Sequence, residues 1–174
     1  VPIYQTSTFA QSSPGKHTGY EYARTGNPTR TAYQDCVAAL ESGKHALAFA
    51  SGLATIDTLL HTLKSGDHVI CSDDVYGGTF RLFDKVLRRF GLEFTFMDLT
   101  DIAKVRAAFR PNTRMLWIES PTNPMLKIFD IAALATAARE KGILSIVDNT
   151  FMSPYFQRPL ELGADAVIHS ITKY

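Results

Sequence analysis

IAALATAAREKGILSIVDNT, residues 131–150, decides the fold. Ile131, Leu134, Ala135 and Ala138 recur at the spacing of one helix face, and Gly142 closes the segment. Ile143 to Val147 then reads as a short buried strand that ends on Asp148-Asn149-Thr150. A helix face feeding a buried strand predicts a crossover unit, which joins parallel neighbours.

The unit repeats outward. Arg114 to Ile118, Leu92 to Met97 and His68 to Cys71 read as strands, with a short helix at Ile102 to Phe109. Leu82, Phe83, Val86, Leu87 and Phe90 form a helical stripe closed by Gly91. Leu53, Ile56, Leu59, Leu60 and Leu63 form another, broken at Ser65-Gly66-Asp67. His45 to Ala50 is a strand-like run, and Thr29 to Leu40 a helix opened by Asn27-Pro28. Ala166 to His169 completes the strands. The alternation predicts an α/β fold, a mostly parallel sheet with helices on both faces and ligands at the strands' carboxyl ends.

Composition narrows the function. Among 174 residues, 18 Lys and Arg stand against 17 Asp and Glu, a net charge of +1 that makes no electrostatic case for nucleic acid or a membrane surface. The longest apolar runs, such as Ala46 to Ala50, span five residues, against the ~20 of a membrane helix. Cys36 and Cys71 stand in no metal-type pair, read as small core residues, and suit a reducing cytoplasm. Residues 1–28, rich in Ser, Thr, Gly and Tyr, read as an arm, and residues 29–174 as the main domain. The chain opens Val1-Pro2-Ile3 and stops four residues after Ser170, so it is expected to be a segment of a longer one.

Five polar clusters fall at or after strand ends: Ser51-Gly52-Leu53, Asp73 to Gly78, Glu119 to Pro124, Asp148-Asn149-Thr150 and Ser170 to Tyr174. Their convergence on one sheet edge points to a binding site. Of eight lysines, only Lys173 follows a buried strand inside a Ser/Thr loop. A lysine in partly apolar surroundings sheds its proton more easily and can form a Schiff base, the alternative being a surface lysine. Asp148 closes an apolar run and needs a donor or a cation, such as the ring nitrogen of a pyridoxal cofactor, unless it merely caps the next turn. Gly52 and Leu53 open a helix where N–H groups can meet an anion, with Ser170 and Thr172 as added donors; crossover geometry alone also explains such a turn. Tyr76, beside two glycines, suits ring stacking or simple loop packing. His61, Lys64, Arg88 and Arg89 read as solvated helix faces, and His169 as a satisfied core histidine.

Six segments resemble one known family. They are Tyr20 to Thr29, Ala48 to Ala54, Asp74 to Thr79, Glu119 to Pro124, Val147 to Leu160 and Ser170 to Tyr174. In this order they are similar to the pyridoxal-phosphate enzymes of cysteine and methionine metabolism, most of all to the cystathionine γ-lyase branch. The resemblance implies the large domain of the aspartate aminotransferase type I fold and the cofactor pyridoxal 5'-phosphate. It implies Lys173 as the Schiff-base lysine, Asp148 as partner of the ring nitrogen and Tyr76 as the stacking aromatic and proton shuttle. Gly52, Leu53, Ser170 and Thr172 would hold the phosphate. Tyr22 and Arg24, on the arm, would reach a neighbouring subunit's cofactor, which implies a homotetramer of two dimers with shared sites. Asn123 would sit near the cofactor's ring oxygen or the substrate carboxylate, and Arg24, Tyr76 and Arg81 would contact substrate.

The implied reaction is γ-elimination of L-cystathionine to L-cysteine, 2-oxobutanoate and ammonia, with hydrogen sulfide release as a side activity. Cystathionine γ-synthase is the nearest alternative. Methionine γ-lyases usually carry cysteine where Gly78 stands, which argues against them. The family's C-terminal domain, with its carboxylate-clamping arginine, has no counterpart in these residues. A non-catalytic fragment or assembly module is the rival from another class.

Overall fold

The computed structural model describes residues 1–174, which divide into two compact units, Val1–Ala48 and Phe49–Tyr174. In the first unit, strands β1 (Gln11–Ser13) and β2 (Lys16–His17) form a short antiparallel hairpin. Helix α1 (Pro28–Leu40) follows, with Pro28 at its first turn. The Asn27 side chain caps it, accepting from the Thr29 N–H at 2.8 Å. Cys36 lies exposed on this helix, not in a core as expected; Ala38 is the helix's buried position.

The second unit is the predicted crossover fold. Its helices and strands alternate: α2 (Gly52–Leu60), β3 (His68–Ser72), α3 (Gly77–Arg81), β4 (Glu93–Met97), α4 (Ile102–Ala108), β5 (Thr113–Glu119), α5 (Ile131–Arg139), β6 (Leu144–Asp148), α6 (Ser153–Phe156) and β7 (Ala166–Ile168). All five strands run parallel in the order β4-β3-β5-β6-β7. One core cluster joins Ile56 and Leu60 of α2 to Phe83 and Trp117. The other joins Val105 of α4 and Leu134 of α5 to Ile70, Leu116 and Ile118. Successive residues of β5 thus bury on opposite faces, as strand geometry requires of a sheet covered on both sides.

Two further expectations are corrected. His45 to Ala50 forms no strand: the run joins no ladder, and Leu47 is 75% exposed. Apolar sequence makes a strand only where a neighbouring strand takes its backbone groups. The stripe at 82–90 is not one regular helix but a π turn, Leu82–Val86, and a 3-10 turn, Leu87–Phe90. The irregular winding keeps Phe83 and Leu87 buried while Phe90 turns outward. It ends at Gly91, whose left-handed φ of 88° suits glycine.

The strand order places a ligand site. From β3 the chain crosses to β4 on one side, then back past β3 to β5 on the other. Loops leaving the carboxyl ends of β3 and β5 therefore diverge and open a crevice between them.

Candidate active site

That crevice is a cleft of about 190 Å³, lined wholly by the second unit. It gathers Gly52, Leu53, Tyr76, Asn123, Asp148, Ser170, Thr172 and Lys173, eight of the residues singled out in the sequence. Arg81, at the end of α3, is not among the lining residues. Tyr22 and Arg24 belong to the first unit, where the Arg24 guanidinium sits 5.0 Å over the Tyr22 ring.

One end of the cleft is built for an anion. Ser51 caps α2 by accepting from the Ala54 N–H at 3.1 Å. The N–H groups of Gly52 and Leu53, in the first turn, have no helical carbonyl to meet. A Cβ on Gly52 would lie 2.9 Å from the Ser170 Cβ, so only glycine lets these two backbones approach. Ser170 Oγ and Thr172 Oγ1 share a hydrogen bond of 2.7 Å, and Lys173 Nζ donates to Thr172 Oγ1 at 3.3 Å. Thr150 fixes this loop from β6, its Oγ1 accepting from the Ser170 N–H at 2.9 Å.

Asp148, at the end of β6, is buried. Its Oδ1 accepts from the Thr150 N–H at 3.1 Å and the Thr150 hydroxyl at 2.6 Å. Burial nonetheless raises its pKa, against those bonds and the nearby His169 and Lys173. A cation delivered into the cleft would restore the charged form. Tyr76, 40% exposed, follows β3. A Cβ on Gly78 would come within 2.3 Å of Tyr76 Cε1, so a bare residue at 78 lets the ring lie where it does.

Sequence reasoning placed Glu119 in a strand-end cluster but gave it no role; it also lines the cleft. It closes an apolar run just as Asp148 does, so the signal was present. The parallel register sets it beside Asp148. Burial pushes its carboxyl up to about 8; the Asp148 and Asp74 charges push the same way, and the N–H groups of Tyr76 and Asn123 oppose them.

The raised value sets a pH dependence. The folded chain keeps a proton on Glu119 from about pH 4.5, where the unfolded chain releases it, to about 8. Stability is thus fullest below that window and declines as pH rises through it. The expected loss between pH 5 and 8 is on the order of 3 kcal/mol by urea unfolding, and Glu119→Gln should remove that component. Parallel profiles for the two proteins would contradict it.

The chain is 65% identical over 174 residues to a probable cystathionine gamma-synthase of Herpetosiphon aurantiacus, covering 100% of this chain and 54% of that one. It is 59% identical over 175 residues to a cystathionine beta-lyase of Coxiella burnetii, covering 100% and 45%. The crystal structure of cystathionine gamma-lyase from Lactobacillus plantarum complexed with L-serine superposes with a TM-score of 0.93 at 54% identity, covering 97% and 44%. The chain thus spans about half the length of the curated relatives it matches. The profile of the Cys/Met metabolism PLP-dependent enzymes matches residues 1–174 throughout, and the chain belongs to that family.

Proposed function

We propose that the full-length protein is a pyridoxal-phosphate-dependent carbon–sulfur lyase that cleaves L-cystathionine by γ-elimination. One observation carries the reading: a lysine, a buried carboxylate and a helix N-terminus with two hydroxyls share one cleft. Those residues fit the cofactor's parts. Gly52, Leu53, Ser170 and Thr172 would bind its phosphate through N–H and O–H donors at the helix N-terminus. Asp148 would hold a proton on the ring nitrogen, and Tyr76 would stack on the ring. Lys173 would carry the cofactor covalently and, once released, move the proton at the substrate's α-carbon. The bound cofactor supplies an electron sink for the carbanions formed next to it. Tyr76 would pass a proton to the departing γ-sulfur, while Asn123 would orient the substrate. Tyr22 and Arg24 are assigned to the phosphate of a neighbouring subunit, in shared sites of a homotetramer.

A second reading, γ-replacement, is favoured by the name of the 65% identical relative. Product analysis separates them. The full-length protein, supplied with pyridoxal phosphate and L-cystathionine, is expected to release cysteine, 2-oxobutanoate and ammonia. Homocysteine with pyruvate would mean β-elimination. Turnover only of an activated homoserine together with cysteine would mean synthesis.

A further inference from the structure

Glu119 is a buried acid in the cleft to which the proposed chemistry gives no task. It ends β5 at the point where the strand order reverses, and it is 5% exposed. Its Oε2 accepts from the Tyr76 N–H at 2.9 Å, across 43 residues of chain. The Asn123 N–H, in the turn after β5, acts on the same carboxyl and lowers its pKa. Asp148 stands beside it in register on β6. The carboxyl therefore ties the turn after β3 to the end of β5, where the turn of Asn123 begins, and each turn bears a residue that faces the cleft.

A second clamp joins the same turns farther out. Asp74 accepts from the Thr122 hydroxyl and from the Met125 N–H at 2.8 Å. Lys127 Nζ bridges Asp73 at 2.9 Å and Asp98 at 3.1 Å. The Lys127 ion pairs are more exposed than Glu119, and pairs in that setting contribute little, although Thr122 is itself buried. A buried acceptor contributes more, because its loss leaves N–H donors without partners.

We infer that Glu119 is a positioning residue, whose carboxyl pins the turns of Tyr76 and Asn123 to the end of β5 so that both face the cleft beside Asp148. The inference rests on reading the cleft as the pyridoxal phosphate site. Carboxylate and neutral acid both offer acceptor oxygens, so the clamp itself does not need the charge. Glutamine keeps one such oxygen. Alanine keeps none.

Amide exchange tests this on the full-length protein, with and without pyridoxal phosphate, in the wild type, Glu119→Gln and Glu119→Ala. Glu119→Ala is expected to speed exchange at Tyr76 and Asn123 about tenfold or more, and to weaken pyridoxal phosphate binding by a similar factor, as loss of a buried hydrogen bond implies. Glu119→Gln should stay within about threefold of wild type on both measures, since an acceptor remains. Unchanged exchange in α5 shows that each variant is folded. Wild-type exchange at both turns in Glu119→Ala would overturn the inference, because the outer clamp would then suffice. Equal losses in Glu119→Gln and Glu119→Ala would overturn it as well. If the wild type takes up no cofactor at Lys173, the reading of the cleft fails. Exchange in the cofactor-free protein then decides the clamp by itself.

Discussion

Lys173→Ala is expected to abolish covalent cofactor attachment and leave the fold intact. Borohydride reduction of the full-length wild type should leave a pyridoxyl group on the peptide containing Lys173; the variant's peptide should carry none. Turnover should fall by at least about 10²–10⁴-fold, the ordinary worth of a positioned proton-transfer group. The side chain contributes little to stability. It is exposed in the short turn Ile171–Lys173, and its amine makes a long hydrogen bond of 3.3 Å to Thr172. Unfolding free energy should therefore change by no more than about 0.5 kcal/mol, as for other exposed positions. A pyridoxyl group at another lysine of the wild type would remove Lys173 from its assigned role.

Asp148→Asn should separate stability from function in the opposite sense. Asparagine keeps an oxygen for the two Thr150 bonds and drops a charge that burial disfavours. The cofactor-free protein should be at least as stable as wild type, since asparagine lacks the charge that burial disfavours. Pyridoxal phosphate affinity should fall about 10- to 100-fold, because a hydrogen bond between charged partners is worth about 1.5–3 kcal/mol. Thermal unfolding without cofactor and a binding titration measure the two effects. A variant less stable than wild type yet equally tight for cofactor would show that Asp148 serves the fold instead. Such opposition is what a binding site built at some cost to the fold produces.

Both predictions start from residues legible in the chain. Lys173 and Asp148 each follow a buried strand, and at a parallel sheet's carboxyl edge a polar residue in that position faces the crevice. Gly52 was legible as part of a strand-to-helix turn. Its actual demand, an approach that leaves a Cβ only 2.9 Å from the Ser170 Cβ, was not. That contact joins residues 118 positions apart (170 − 52), and no local pattern encodes it.

Sequence by itself determined the alternation of helix and strand from residue 52 onward and the polar groups at the strand ends. Periods of 3.6 and 2, and the glycines that stop them, are local properties that a short window contains. Tertiary structure alone decided three other matters. It left Ala46 to Ala50 outside the sheet, because strand formation needs a partner as well as apolar residues. It broke the 82–90 helix so that Phe83 and Leu87 could meet the core. It also set Glu119 against Asp148 and under the Tyr76 amide. Strand register brings those carboxyls together, and only burial there turns an ordinary glutamate into one that holds its proton to about pH 8.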